Sequence, residues 1–262
     1  MVYNAIEKEI QKRKHTGEEW EHLQHLLDEE ILTMTKRYLP KHIQEKIDLF
    51  WHFNSEIKLK IKTNYNLLEL LDLIVPKAKV WIVGGFIRDV IAGFDPKDVD
   101  LVVDNVQKVK EQLKRHNIEF QEVGAHFGVI LVNINGENFE IANLRSDKDN
   151  SGFKPGTLKQ DWERRDFDVN CIYFSIQKME IEDKLDKSGI ENASKRMFQF
   201  QGNPHQRIIE DPMRVLRVYK LTQKGFTPSN KTLAEARKHF EYMIQNVNPN
   251  RLRSEFENLI LK

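Results

Sequence analysis

The stretch VGGFIRDVIAGFDPKDVDLVV, residues 83–103, decides the fold of this chain. It completes the apolar run KVWIV at 79–83, continues with helical spacing to a glycine at position 93, and ends in a second apolar run led by two aspartates. Short apolar runs beside tight-turn residues are typical of buried strands, and steps of three and four residues are typical of helices. The stretch therefore predicts a strand, a glycine turn, a helix and a second strand.

Two chemical features lie inside this stretch. The paired glycines Gly84 and Gly85 let backbone N–H groups approach a phosphate, and Arg88, one turn into the helix, can reach the same phosphate. Asp98 and Asp100, two apart on a strand, point to one face and can bind Mg²⁺ through oxygen ligands. Aspartate pairs alone are common in turns, but a phosphate turn before the pair indicates a nucleotidyl-transfer site.

The sequence on either side of this stretch contains segments with helical periodicity and segments typical of strands. Residues 106–116 have helical spacing, residues 145–161 are polar and predict a mobile loop, and the segments before about 70 and after 183 have helical periodicity. Pro40 breaks the first of these helical segments. The further predicted strands are 118–123, 127–134, 138–144 and a hairpin near 173–183.

Composition excludes several classes of protein. One cysteine, Cys171, among 262 residues excludes an internal disulfide framework and a zinc site built on several thiolates. The sequence has no apolar run of membrane-spanning length and no secretory signal at its N-terminus, so a cytoplasmic protein without a membrane partner is expected. The net charge of +1 is a sum of 0 over residues 1–62, −6 over 63–193 and +7 over 194–262, which suits an acidic metal site beside a phosphate-binding surface.

Three segments in order carry a family resemblance. Residues 83–103 resemble the head signature of class II tRNA nucleotidyltransferases (CCA-adding enzymes) and bacterial poly(A) polymerases, within the polymerase-β-like nucleotidyltransferases. DWERRDFDVNCIYFS (161–175) resembles the second motif of that family, and GNPHQRIIEDPMRVLRVYKLTQKGF (202–226) resembles its neck motif. The resemblance implies an α+β protein, with a head of mixed sheet flanked by helices followed by an all-helical neck.

The resemblance and the local chemistry together assign roles in the neck. Asp211 and Arg214, three apart on a helix, share a face; the carboxylate can accept from an exocyclic amino group and the guanidinium can donate to ring acceptors. Such a pair would select C and A over U and G. Arg217 and Lys220 continue the stripe and would bind the triphosphate, although an exposed basic helix face is the simpler alternative.

In the second motif, the resemblance implies that Arg165 holds the triphosphate and Asp166 positions the sugar. Arg164 could instead form a surface ion pair, and Asn170 is expected to order the segment. Asp168 stands where the family usually has threonine, which would place a negative charge near the site. Cys171 is expected to be a buried, inert thiol. Glu140 could be the third carboxylate of the catalytic group or an edge-strand glutamate.

The resemblance also predicts organisation, with a helical N-terminal extension at 1–70, a head at 71–185 and a neck at 186–262, and without the body and tail domains of the family. The expected reaction is Mg²⁺-dependent addition of CMP or AMP from CTP and ATP to the 3′ end of tRNA or another RNA. Poly(A)-type, CC-only or A-only addition, transfer of a nucleotide to a protein or small molecule, and a silent RNA-binding relative remain alternatives. The N-terminal helices could replace the missing body or form a homo-oligomer interface.

Overall fold

The computed structural model describes residues 41–123, 128–146, 154–183 and 188–260. The chain divides into two compact units, residues 1–51 and residues 52–262. Of the first unit, the described part is 41–51, the beginning of helix α1 (Lys41–Thr63). The predicted helices before Pro40 and the histidines His22 and His25 lie outside the described residues. The division into three domains stays a prediction.

A seven-stranded mixed sheet forms the centre of the second unit, in the order β3-β4-β5-β2-β1-β6-β7. Strands β2 and β5 are parallel, and the other neighbours are antiparallel. This sheet with its helices confirms the predicted α+β class. The strands are β1 (Val80–Val83), β2 (Asp100–Val103), β3 (Phe120–Val123), β4 (Val129–Ile134), β5 (Glu137–Asn143), β6 (Ile172–Ser175) and β7 (Glu180–Asp183).

Helices surround the sheet and form the C-terminal part of the chain. Those of the head are α2 (Tyr65–Ile74), α3 (Gly85–Ile91), α4 (Val106–Arg115) and α5 (Leu158–Glu163), with a 3₁₀ turn at Asp168–Asn170. Then follow α6 (Ser188–Ser194), α7 (Pro204–Glu210), α8 (Arg214–Gln223), α9 (Asn230–Lys238), α10 (Phe240–Asn246) and α11 (Pro249–Ile260). None of the helices in the described ranges is long and apolar enough to cross a membrane.

Local sequence signals explain where these helices begin. Asn64, Asn105 and Asn203 accept a hydrogen bond from the third residue of α2, α4 and α7, which satisfies a free helical N–H. Ser229 does the same for α9. Thr157 and Gln160 form a reciprocal capping box at the start of α5. Buried Leu67, Leu70 and Ile74 line the inner face of α2, which packs on α4 and β4.

Asp211 and Arg214 do not lie on one helix as predicted, because α7 ends at Glu210, Asp211 has extended backbone and α8 begins at Arg214. The structure differs from the sequence prediction in three further places. Strand β2 begins at Asp100, so Asp98 lies before the strand and not within it. The segment after 183 is not wholly helical, because β8 (Met197–Phe198) and β9 (Thr227–Pro228) form a small parallel sheet.

The third difference is the predicted loop at 145–161. Its last part is helix α5, and its two ends are joined by the bridge between Arg145 and Pro155 and by a hydrogen bond from Ser146 N to Lys154 O of 3.1 Å. A Cβ on Gly156 would lie 2.4 Å from the backbone carbon of Arg145, so only glycine fits this close approach. The centre of the loop, 147–153, lies outside the described residues.

Candidate active site

A cleft of about 1260 Å³ lies over one end of β1, β2 and β5, and helices α7 and α8 form part of its wall. Of the described residues that line it, nine are Lys or Arg and six are Asp or Glu, so the wall has a net positive charge that favours an anionic ligand. Asp98 and Lys220 do not line it. The predicted site residues that do are Gly84, Gly85, Arg88, Asp100, Glu140, Arg165, Asp166, Asp211, Arg214 and Arg217.

Carboxylates meet at the ends of two neighbouring strands. Asp100 on β2 is paired in register with Glu140 on β5, and β5 lies inside the sheet. Glu140 is therefore not an edge-strand residue, which corrects that alternative. The pKa of Asp100 is raised to about 6 by its burial and by the negative charges of Glu140 and Asp98, against the opposing effect of Arg165.

The residues present fit a hard divalent cation. Repulsion between Asp100 and its two acidic neighbours means that their charge is incompletely balanced by protein cations, and oxygen ligands are what Mg²⁺ prefers. The three carboxylates do not converge as closely as preformed ligands. The only trio of His, Cys, Asp or Glu ligand atoms within 4.8 Å of one another in the described ranges lies elsewhere, at His205, Glu235 and His239.

The paired glycines form the turn between β1 and α3. Gly84 has φ of +68° and ψ of −126°, a conformation that side-chain-bearing residues rarely adopt. A Cβ placed on Gly84 would lie 3.7 Å from Nη1 of Arg165 and 3.8 Å from Oδ2 of Asp100. The backbone of the turn consequently lies between a guanidinium and a carboxylate of the site.

Arg88 is held in place by three contacts. Its Nε donates to Oδ1 of Asp89 at 2.9 Å, its Nη1 donates to Oδ1 of Asn170 at 2.8 Å, and its guanidinium lies 5.5 Å from the ring centre of Phe226. Asp89 is 3% exposed and also pairs with Lys224. Arg88 is thus a fixed cation at the end of the glycine turn.

Asp161 organises the arginines of the second motif. It is fully buried; its Oδ1 accepts from Arg164 Nε at 2.9 Å, and its Oδ2 accepts from Tyr173 Oη at 2.6 Å and from Arg165 Nη2 at 3.1 Å. Its Oδ1 also accepts from the backbone N–H of Arg145 at 3.1 Å. Burial would raise the pKa of Asp161, but the charges of Arg165 and Arg164 outweigh burial and lower that pKa to about 2.

The predicted surface ion pair of Arg164 is wrong, because its side chain is 15% exposed and its partner is buried.

Arg217 connects the head to the neck. Its Nη1 lies 3.5 Å from Oδ2 of Asp166, and its Nη2 lies 3.1 Å from Oδ2 of Asp211. Asp166 also accepts from Asn170 Nδ2 and from the backbone N–H of Phe167, each at 2.9 Å. Burial would raise the pKa of Asp166, yet Arg217 and these hydrogen bonds lower it, so Asp166 remains an anion.

Arg214 is almost completely buried, and its donors are largely engaged. Nη1 donates to Arg207 O at 2.7 Å and to Oε2 of Glu210 at 2.8 Å, and Nη2 donates to Arg164 O at 2.9 Å. Within the described structure, its buried Nε has no hydrogen-bond partner. Arg207 likewise donates to the carbonyl oxygen of Glu163. Two neck arginines therefore bind the last carbonyls of α5 in the head.

Three other residues of the two later motifs lie away from the cleft or are buried. Lys220 pairs with Glu255 on α11 and lines a small side pocket. Asp168 is 2% exposed; its Oδ1 accepts from Val169 N at 2.8 Å and Gln199 N at 3.1 Å, and its Oδ2 accepts from Asn192 Nδ2 at 2.6 Å. The expectation that Asp168 adds charge to the site is not met, because its carboxylate is buried against these donors and does not line the cleft. Cys171 is buried as predicted, and burial raises the pKa of its thiol.

Sequence reasoning missed four residues that shape the cleft or its supports. Asp161 and Tyr173 hold Arg165, and only the spacing of Asp161 to the two arginines, one helical turn, could have indicated this. Arg207 and Arg251 also line the cleft. Arg251 comes from α11, and nothing in its local sequence separates it from other exposed arginines.

Known proteins are similar to this chain in sequence. Residues 80–199 match the family described as the poly A polymerase head domain. A CCA-adding enzyme of Enterococcus faecalis is 28% identical over 191 residues, which cover 70% of this chain and 45% of that protein. Poly(A) polymerase I of Escherichia coli is 28% identical over 195 residues, which cover 68% of this chain and 41% of that protein. The chain thus spans less than half the length of these curated relatives.

Solved structures show the same fold. A CCA-adding enzyme of Bacillus stearothermophilus in complex with CTP has a TM-score of 0.65 at 23% identity, over 74% of this chain and 47% of that chain. A tRNA nucleotidyltransferase complexed with a primer tRNA and an incoming ATP analog has a TM-score of 0.59 at 25% identity, over 72% and 54%. Residues 80–199 thus match the poly A polymerase head domain, and the chain is a homologue of the nucleotidyltransferases known as CCA-adding enzymes and poly(A) polymerases.

Proposed function

We propose that this chain is an RNA nucleotidyltransferase that adds CMP, AMP or both from CTP and ATP to the 3′ end of tRNA, with release of pyrophosphate. The observation that carries the proposal is a single cleft that combines head carboxylates with the Asp-Arg pair of the neck. Phosphoryl transfer needs a nucleophile, a leaving group and charge neutralisation in one place. The RNA and the NTP would supply the first two, and the carboxylates and arginines of this cleft would supply the charge neutralisation.

In this proposal the carboxylates act at the α-phosphate. Asp98 and Asp100 would hold Mg²⁺, which when bound supplies activation of the attacking hydroxyl and neutralisation of the leaving pyrophosphate. Glu140, in register with Asp100, is the third carboxylate of this group. The 3′ oxygen of the RNA forms a bond to the α-phosphorus, the bond to the bridging oxygen breaks, and the hydroxyl proton passes to a carboxylate.

The fixed cations of the head would bind the triphosphate. Arg88 and Arg165 flank the glycine turn, and each is held by a buried carboxylate, Asp89 and Asp161 respectively. A guanidinium that is already oriented loses little freedom when it binds a phosphate. Arg217 is 42% exposed and retains room to contact the ligand. Lys220 would reach the triphosphate only by leaving Glu255.

The neck would read the base. Asp211 can accept from the exocyclic amino group that cytosine and adenine share, and Arg214 can donate to a ring acceptor. The Nε donor of Arg214 has no partner but is buried, and its Nη atoms bond Glu210 and backbone carbonyls, so donation to a base requires Nε to become accessible or one of these bonds to be exchanged. We therefore expect α8 or α5 to move slightly when Arg214 binds a base.

Relatives support two products. The chain is equally similar, at 28% identity, to a protein named as a CCA-adding enzyme and to one named as a poly(A) polymerase. Addition of many A residues to a general RNA is therefore the second candidate. The two candidates share the cleft and differ in the acceptor and in the use of CTP.

The test incubates the protein and Mg²⁺ with tRNAs ending in N, NC or NCC, supplies each NTP separately, and sequences the products. Ordered C and A incorporation supports the tRNA reaction, whereas long A tracts without C support the poly(A) reaction. Asp100→Ala should abolish both. Asp104→Asn, at the opposite end of β2, is the matched control and should remain active. Incorporation that survives Asp100→Ala would contradict the assigned carboxylates.

A further inference from the structure

A second group of metal-binding side chains lies in the neck, outside the cleft. His205 is near the start of α7, Glu235 is on α9, and His239 follows α9. Nδ1 of His205 lies 2.9 Å from Nε2 of His239 and 3.6 Å from Oε1 of Glu235. Two imidazoles and one carboxylate are a common ligand set for transition metals.

The hydrogen bonding of His239 prepares one ring nitrogen for a metal. Its Nδ1 lies 3.0 Å from the carbonyl oxygen of Glu235, and a carbonyl oxygen can only accept, so Nδ1 carries the proton. In the neutral ring, Nε2 then carries the lone pair and accepts from Nδ1 of His205 at 2.9 Å, a contact that a metal ion between the two nitrogens would replace. Ligating histidines usually donate their other N–H to a carbonyl or carboxylate in this way. His239 is 6% exposed, so this orientation is fixed by packing.

We propose that Nδ1 of His205, Nε2 of His239 and a carboxylate oxygen of Glu235 bind one Zn²⁺ or a similar transition metal ion. Tetrahedral zinc with bonds of about 2.0–2.1 Å places its ligand atoms about 3.3 Å apart. The two separations that involve His205, 2.9 Å and 3.6 Å, lie on either side of that value. The side chain of His205 is 59% exposed, which leaves an open side for entry and for a water ligand.

One neighbouring cation competes for the carboxylate. Nζ of Lys238 lies 3.5 Å from Oε1 of Glu235, but the lysine side chain is 69% exposed. Exposed ion pairs are weak, so a metal ion can displace Lys238 from Glu235. A bound ion would join the start of α7 to the end of α9. Since Asp211 directly follows α7, the ion would also restrain the segment that leads to the base-reading pair. The site itself does not depend on the proposed reaction.

The test titrates the full chain with Zn²⁺ by calorimetry, in millimolar Mg²⁺ so that oxygen-rich sites are occupied. We expect one Zn²⁺ per chain with micromolar affinity, and a loss of about tenfold or more in His205→Ala and in Glu235→Gln. His116→Ala, which alters an exposed histidine on the head, is the matched control and should bind like the wild type. Far-UV circular dichroism checks that each variant is folded.

Three results would overturn the proposal. These are no Zn²⁺ binding by the wild type, unchanged affinity in His205→Ala, and loss of binding in a His22→Ala, His25→Ala double variant, which would locate the metal in the N-terminal segment. Co²⁺ gives a second readout that needs no activity. Its visible absorption should appear with the wild type and be absent with His205→Ala, and an identical spectrum in both would also refute the site.

Discussion

Replacing Asp161 by asparagine tests whether one buried carboxylate holds the arginines of the second motif. The change keeps the shape of the side chain and removes its charge. It leaves the guanidinium groups of Arg164 and Arg165, which are 15% and 14% exposed, without their shared anion. It also places an amide group where two oxygens now accept from Tyr173 and from the backbone N–H of Arg145.

The size of the effect follows from the structure. The pKa of Asp161 lies at about 2 rather than 3.8, which corresponds to about 2 kcal/mol in favour of the ionised form in the folded state. Loss of one partner from a buried ion pair costs about 3–5 kcal/mol. We therefore expect Asp161→Asn to lower the free energy of unfolding at pH 7 by about 2–5 kcal/mol. The KM for the nucleotide should rise as well, because Arg165 loses its fixed orientation.

The sign of the pH dependence provides a sharper check. A carboxyl whose folded pKa is lowered stabilises the protein fully above its unfolded pKa, and this contribution is lost as pH falls through the folded pKa. The stability difference between wild type and Asp161→Asn should therefore shrink by about 1 kcal/mol between pH 5 and pH 3. The measurement is urea unfolding followed by far-UV circular dichroism at both pH values.

The control for this experiment is Asp95→Asn, since Asp95 pairs with Lys60 on the surface and its side chain is 88% exposed. This variant should unfold at the urea concentration of the wild type. A loss in Asp161→Asn no larger than that of the control, or one that is equal at pH 5 and pH 3, would refute the reasoning.

Three further substitutions have defined outcomes. Gly84→Ala forces a side chain into a backbone conformation of φ +68°, and it should cost about 1–3 kcal/mol in urea unfolding and reduce turnover. Arg217→Ala removes the link between Asp166 and Asp211, so steady-state kinetics should show the nucleotide KM rising about tenfold or more with little change in melting temperature. Asp168→Asn places a side-chain amide group against the Nδ2 donor of Asn192. It should lower the free energy of unfolding in urea by about 1–3 kcal/mol, while kcat of the folded enzyme stays unchanged.

The sequence predicts the strand, turn, helix and strand around Gly84 and Gly85 because their signals are local. Apolar runs, glycine positions and helical spacing depend on neighbours along the chain. The position of Glu140 opposite Asp100 was harder to predict from the sequence. It depends on parallel pairing of β2 with β5, and the register of such a pair is set by contacts far apart in sequence.

Burial explains where the interpretation of the second motif was wrong. Arg164 resembles a surface residue in its local sequence, but it lies in the cleft wall on a helix end that the neck partly covers. Asp168 occupies a family position that usually carries threonine, and the 3₁₀ turn directs its carboxylate to the backbone of Gln199. For Asp168 the direction of the side chain is decided by elements that come later in the chain, whereas the side chain of Arg164 is held by buried Asp161 on its own helix.

The contacts of Arg207 and Arg214 with α5 have a consequence for folding during synthesis. The carbonyls of Glu163 and Arg164 receive their donors only after the residues of α7 and α8 have left the ribosome. A nascent chain that ends near residue 199 includes the whole segment 80–199 that matches the head family but lacks the donors for the end of α5. Until the neck docks, the carbonyls at that helix end lack these donors, so the end of α5 is a local opening that a protease can cut.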